Sequence, residues 1–334
     1  MKSTLILSVC IICSVLTPAG AFADYPDEAG GKPFTFNEVW GYLIRGSEGR
    51  LTGEEPITDV CWFSMGVNHR GGLSAPAAPP SIKNSRGGKM RVHLVISDLS
   101  SKALMHFCLN PSYGVRDRLV GEIVAASSGY QGVQIDFEAI AGGDAAAFIG
   151  FLKELKRRLP GGMILSVAVP ARRKNVEDAY SYGDISSVAD RVVVMAYDQH
   201  WSGSAPGPVA SLSWCRDVLA YALKIVPAAK LIMGLPLYGR SWQDRNYSRA
   251  LLPGHVDEII KNEKAAPEYS IDRGPSLSYE KTVQVKIYYE DFRSINEKLA
   301  LYAGSVRSIS FWRLGMEKNG LWKNVLVQSS DLHH

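Results

Sequence analysis

Eight short runs rich in β-branched and aromatic residues begin mostly 28–42 residues apart, the span of one strand, loop, helix and loop. They predict an α/β chain, a (β/α)8 TIM barrel with a small α+β insertion between strands 7 and 8. The runs are apolar throughout, as in His93-Leu94-Val95-Ile96 and Val192-Val193-Val194-Met195, which is how strands covered on both faces read. No glycine-rich phosphate loop follows the first run, so a barrel is favoured over an open doubly wound sheet.

Ahead of the first strand, Lys2 precedes an apolar run from Leu5 to Leu16 and then Ala21-Phe22-Ala23. This is the pattern of a secretory signal peptide over residues 1–23 with a small-x-small cleavage site. The run is shorter than the ~20 residues that span a bilayer, and Pro18 and Gly20 break it before the cleavage site, so no retained transmembrane anchor is expected. Cys10 and Cys13 lie inside the apolar run, which makes a lipoprotein the lesser reading. The expectation is an exported protein, periplasmic or extracellular, with residues 24–36 as a Gly/Pro/Asp-rich lead-in and 37–330 as the barrel.

The strands are predicted to begin near Glu38, Ile57, Met90, Gly132, Met163, Arg191, Lys230 and Val306. The first interval, 19 residues, is too short for a full helix. A helix is expected from Asp144, which can cap it, with Phe148, Phe151, Leu152, Leu155 and Leu159 at helical spacing. Lys156, Arg157 and Arg158 suit its negative end, and Pro160-Gly161-Gly162 stops it. Further helical patterns run from Val218 to Ile225 and from about Asp291 to Tyr302. The last interval, 76 residues, is too long for one crossover. Its polar stretch over 243–289 reads as the insertion, with a helix around Val256–Ile260 and strands around Ser276–Tyr279 and Thr282–Tyr288.

Composition narrows the function classes. Lys plus Arg number 37 against 33 Asp plus Glu, a formal net charge of +4, without a dense basic cluster, so nucleic acid is not an expected partner. Cys61, Cys108 and Cys215 remain beyond the leader, an odd set without CxxC spacing or a neighbouring His pair. Neither a disulfide framework nor a zinc site is supported, and Cys61 reads as a buried thiol. One disulfide among the three stays open, and a monomer is expected.

In a barrel the informative residues are polar ones at strand C-termini. Strand four reads Gln131-Gly132-Val133-Gln134-Ile135-Asp136-Phe137-Glu138, and its period of two places Gln134, Asp136 and Glu138 on one face, ~6.6 Å apart along the strand. Left unpaired in an apolar core they would each cost about 1–3 kcal/mol, so a site explains them better than packing. Two carboxylates this close cannot both ionise freely, and one pKa should rise, which keeps an acid protonated for proton donation near neutral pH. Glu138, the outermost, is the expected donor.

These residues meet a family pattern. The stretch resembles the D-G-x-D-x-D-x-E signature of glycoside hydrolase family 18, and the resemblance continues in order along the chain. Ile57 to Val67 with Asn68 and Gly71-Gly72 is similar to the family's second strand, Met195-Ala196-Tyr197-Asp198 to its sixth-strand M-x-Y-D element. Gly234 to Arg240 plus Trp242 is similar to its seventh-strand G-x-P-x-Y-G-R-x-W, and Phe311-Trp312 to its terminal-strand tryptophan. Asp136-Phe137-Glu138, Tyr197 to Trp201, Pro206-Gly207-Pro208 and Phe311 to Gly315 resemble the bacterial branch of spore-cortex-lytic N-acetylglucosaminidases.

The resemblance implies hydrolysis of a β-linked N-acetylglucosamine polymer with retention, the substrate's own 2-acetamido oxygen attacking the anomeric carbon, and peptidoglycan before chitin. It implies Glu138 as proton donor, Asp136 on the acetamido N–H, Tyr197 on the acetamido oxygen and Asp198 against the distorted sugar. Trp312 would floor the ring. Tyr238, Arg240, Met195, Gln134 and Tyr42 are the candidate substrate-binding residues; His200 and Trp201 follow the sixth strand and could line the cleft, though a lone His such as His200 reads first as a hydrogen-bonded structural residue. No cofactor or metal is implied, since proton transfer and the acetamide supply the chemistry.

Gln131 and Gln134 depart from the acidic residues usual in the signature. Gln134 can donate or accept hydrogen bonds but cannot share a proton with Asp136, so slower chemistry is expected, with Gln131 structural. The rival reading is a catalytically impaired, lectin-like binder of N-acetylated glycans.

Overall fold

The computed structural model describes residues 32–74, 78–82, 90–98, 101–243, 253–271, 274–280 and 282–328; the leader predicted for 1–23 and most of the lead-in lie outside these residues. Eight parallel strands close on themselves in chain order: β1 (Glu38–Ile44), β2 (Asp59–Gly66), β3 (Arg91–Asp98), β4 (Gly132–Phe137), β5 (Ile164–Pro170), β6 (Arg191–Met195), β7 (Leu231–Pro236) and β8 (Ser308–Trp312). β8 pairs with β7 and returns to β1. The chain is a (β/α)8 TIM barrel.

The helices are α1 (Lys102–Leu109), α2 (Val115–Ala126), α3 (Ala145–Arg158), α4 (Tyr182–Val188), α5 (Leu212–Ile225), α6 (Pro253–Glu263) and α7 (Phe292–Ala303). β1 is followed only by a 3-10 turn, Glu48–Arg50, and no described residue between β2 and β3 is helical. α3 buries Phe148, Phe151, Leu152 and Leu155 against the sheet, the stripe its spacing predicts. Asp291 caps α7 through a reciprocal pair with Ser294. No described helix is long and apolar enough to cross a membrane.

Several details differ from the sequence expectation. Asp144 precedes α3 but makes no cap; it ends a 3-10 turn with φ −96° and ψ 7°, and its carboxylate meets His106 Nδ1 at 2.7 Å instead. α5 begins at Leu212, ahead of the pattern seen from Val218, because Trp214 and Cys215 also pack inward. Thr282–Tyr288 shortens to Val285–Tyr288, which pairs antiparallel with Arg240–Gln243. The strand expected at Ser276–Tyr279 is Gly274–Ser276, paired with Glu268–Ser270. The end of the lead-in, Phe34–Phe36, is itself a strand and pairs parallel with Val325–Val327. All three thiols are free and buried, which settles the open disulfide.

Trp40, Tyr42, Cys61, Val95, Val193 and Ile232 fill the barrel, a cluster separate from the larger core beneath the helices. At the N-terminal ends of the strands charges close the bottom. Glu38 accepts from Arg91 and from both Arg191 Nε (2.9 Å) and Nη2 (2.8 Å), while Asp59 accepts from Arg91 Nε at 2.7 Å and meets His93 Nε2 at 2.7 Å. Against the opposing effect of burial, Arg191 and Arg91 hold Glu38, and His93 and Arg91 hold Asp59, below the usual carboxylate range.

Gly132 opens β4 beside this network, and a Cβ there would stand 2.1 Å from His93 Nδ1 and 2.9 Å from Ile164 O. His93 is fully buried and pinned to Asp59, so it has nowhere to go. Gly132→Ala is expected to cost about 2–3 kcal/mol in urea denaturation. A change below about 0.5 kcal/mol would mean that His93 turns aside freely.

Candidate active site

The C-terminal ends of the strands surround a cavity of about 590 Å³ lined by Tyr42, Asp136, Glu138, Met195, Tyr197, Asp198, Tyr238, Arg240 and Trp312 among others. Nine of the ten residues singled out in the sequence therefore share one space. Gln134 does not line it; it sits fully buried one alternation deeper on β4, its amide nitrogen donating to Ser166 Oγ at 3.2 Å. Gln131 sits outside the barrel mouth and ties strand starts together, its side-chain oxygen accepting from Val92 N at 2.9 Å.

β4 carries Asp136 inward and delivers Glu138 just past its end, where that residue is exposed. Glu138 is held through its backbone: its N–H donates to Asp98 O at 2.8 Å. The Tyr180 hydroxyl donates to Phe137 O at 2.8 Å and accepts from Ile140 N at 3.3 Å, bracketing Glu138 on both sides. Asp136 is buried, and its Oδ1 has no protein partner among the described residues. Burial lifts its pKa to about 8, with the Glu138 charge adding to the rise. Although its side chain reaches solvent, Glu138 is also raised, first by the partial desolvation it undergoes among the cavity walls and second by the Asp198 charge. The sequence anticipates one raised carboxyl; both rise, and the larger rise falls on Asp136.

Beyond β6, Asp198 adopts a left-handed backbone, φ 56°, which turns its carboxylate across the cavity. There its Oδ1 accepts from the Tyr238 hydroxyl and from Arg240 Nε at 3.0 Å and Nη2 at 2.7 Å, both partners following β7. Burial raises the Tyr197 hydroxyl well above its ordinary value, so it keeps its proton and can donate. Gly234 makes room for it, since a Cβ at that position would stand 2.9 Å from the Tyr197 ring.

Trp312 ends β8 with its ring against three aromatics, Tyr42 at 5.2 Å, Phe63 at 5.3 Å and Tyr197 at 6.3 Å between centroids. This packing fixes a flat apolar face at the cavity. His200 faces away, its Nδ1 2.9 Å from Pro208 O, and the exposed Trp201 does not line the cavity.

Sequence reasoning missed Arg172, Trp214, Arg313 and Met316 as lining residues. Arg172 and Arg313 lie within two residues of strand ends, a position that alone marks them as rim residues in this fold. Trp214 projects from the first turn of α5 and had no local signal.

The arrangement pairs a buried carboxyl whose pKa is lifted with an outer one that is raised as well, a phenolic donor and an aromatic floor, the equipment for proton transfer beside a flat apolar surface. Barrel and site together define a glycoside hydrolase. Residues 118–317 match the model of glycosyl hydrolases family 18, and the chain belongs to that family.

Over 233 residues it is 34% identical to the putative sporulation-specific glycosylase YdhD of Bacillus subtilis, covering 64% of this chain and 54% of that protein; the chain spans about half that relative's length. It is 27% identical over 294 residues to the cortical fragment-lytic enzyme of Bacillus cereus, covering 82% of this chain and 68% of that one. The fold is similar to the crystal structure of the Bacillus cereus spore cortex-lytic enzyme SleL, with a TM-score of 0.67 at 23% identity over 89% of this chain and 76% of that one.

Proposed function

We propose that this chain is an exported, retaining glycoside hydrolase that cleaves β-linked N-acetylglucosamine glycan, peptidoglycan in particular, by substrate-assisted catalysis. The observation that carries the reading is the convergence of Asp136, Glu138, Tyr197, Asp198 and Trp312 on one cavity at the barrel mouth. The kinship with a glycosylase and a cortical fragment-lytic enzyme supports peptidoglycan over chitin.

The sugar lies on Trp312 with its acetamido group turned inward. Glu138 gives its proton to the leaving glycosidic oxygen while the acetamido carbonyl oxygen bonds to C1, forming a cyclic oxazolinium ion. With the single proton of the coupled pair on Glu138 when substrate is bound, Asp136, whose Oδ1 is unpartnered among the described residues, is the carboxylate that accepts the acetamido N–H and balances the positive charge. Tyr197 donates to the acetamido oxygen and orients it, and Asp198, steadied by Tyr238 and Arg240, takes a sugar hydroxyl. Water then attacks C1, loses its proton to Glu138 and opens the ring with retention. The acid and the intramolecular nucleophile come from Glu138 and the substrate, so no cofactor enters the scheme.

The test is product analysis of the protein incubated with peptidoglycan and with soluble N-acetylglucosamine oligomers, beside Glu138→Gln. New N-acetylglucosamine reducing ends, β at first release, are expected from the unaltered protein alone. Saturable binding by both without product would replace this reading by the lectin-like one, which Gln134 favours because its amide is committed to Ser166 and cannot relay a proton.

A further inference from the structure

Three guanidinium groups line the cavity: Arg172, Arg240 and Arg313. Two are matched by carboxylates of the protein, Arg172 by Asp178 and Arg240 by Asp198 at 2.7 Å. Arg313 is half-buried directly after Trp312, and its side chain makes no hydrogen bond or ion pair among the described residues. The cavity's other carboxyls do not answer it: neither Asp136 nor Glu138 forms an ion pair with it, and Asp198 is taken by Arg240 and Tyr238.

A glycan laid across Trp312 and Met316 would strip water from Arg313. A neutral polymer of N-acetylglucosamine offers only hydroxyl and carbonyl oxygens in return, whereas a carboxylate replaces the water by a stronger bond between two charged groups. The guanidinium fork suits a carboxylate better than a hydroxyl. In glycan strands that alternate N-acetylglucosamine with N-acetylmuramic acid, every second sugar carries an acid-bearing arm on its 3-oxygen.

We propose that Arg313 is a specificity residue that binds a carboxylate on the 3-O-lactyl arm of the muramic acid next to the N-acetylglucosamine seated on Trp312. The inference rests on the glycan reading of the cavity given above. The carboxylate is either that of the lactyl group itself or the terminal one of a short stem peptide attached to it, and Arg313 meets the same chemistry in both.

The experiment measures Kd by calorimetry for the full chain carrying Glu138→Gln, with and without Arg313→Gln. The probes are peptide-free alternating glycan strands, the same strands methyl-esterified, and strands bearing stem peptides. With Arg313 in place, the acidic strand is expected to bind about tenfold more tightly than its ester. Arg313→Gln should bring that ratio to about one, Arg313→Lys should keep part of it, and added salt should shrink it. A preference confined to peptide-bearing strands assigns the carboxylate to the stem. A ratio that survives Arg313→Gln overturns the proposal even where the unaltered protein turns glycan over; absence of turnover beside an Arg313-dependent ratio overturns only the hydrolase reading.

Discussion

Glu138→Gln is expected to lower kcat on peptidoglycan strands by about 10³–10⁴-fold, the contribution of a positioned general acid, while leaving Tm within about 2 °C. The side chain is exposed at the barrel mouth and takes part in no hydrogen bond among the described residues, so the amide replaces it without strain. What holds the residue in place is its backbone, fixed by Asp98 O and bracketed by Tyr180, and that remains. The deficit should shrink on aryl glycosides, whose leaving groups need little protonation. A loss below tenfold on the natural linkage, with an unchanged melting curve, would move the proton donor elsewhere.

Asp136→Asn should do two opposite things: cut kcat/KM by at least about 10²-fold and make the protein more stable. In the folded chain the carboxyl has a pKa of about 8, against an ordinary 3.8. Between those values the folded state still holds a proton that the unfolded chain has released, so folded stability falls as pH rises through that window and levels off above about pH 8. Asparagine removes the titration. The Tm advantage of the variant should therefore grow from pH 4 to pH 8, reaching on the order of 5 °C. The unaltered protein's kcat/KM should decline above about pH 8 as the coupled Asp136 and Glu138 pair loses its last proton. A Tm difference independent of pH would show that Asp136 is ionised in the folded state.

The barrel was legible because its strands are buried on both faces and so stand out as apolar runs whatever lies between them. The inward face of β4 was legible for a related reason: polar residues at a period of two in such a run have no packing explanation. Other features have no local signature. Phe34–Phe36 and Val325–Val327 are three-residue partners at opposite ends of the chain, too short for a pattern. Asp144 has the residue type of a cap but not the extended backbone that aims a side chain at the helix amides.

Glu38 and Arg191 meet across 153 positions, so their pairing is a property of closure that no window of sequence contains. Arg313 is a charge whose lack of a partner among the described residues becomes visible only once the carboxylates around the cavity have been placed.

Closure also separates whole molecules from partial ones. Ser308 lies beside Glu38, 270 positions earlier, so the sheet stays an open ribbon until the last strand arrives. A chain stalled or clipped before that point exposes β1 and β7 as bare edges with rows of free amides and carbonyls, and such edges recruit further strands. Fragments should therefore clump and be digested readily where the intact ring resists both. Purification tags and fusion partners accordingly belong beyond Gln328, whose N–H still donates to Phe36 O at 2.8 Å.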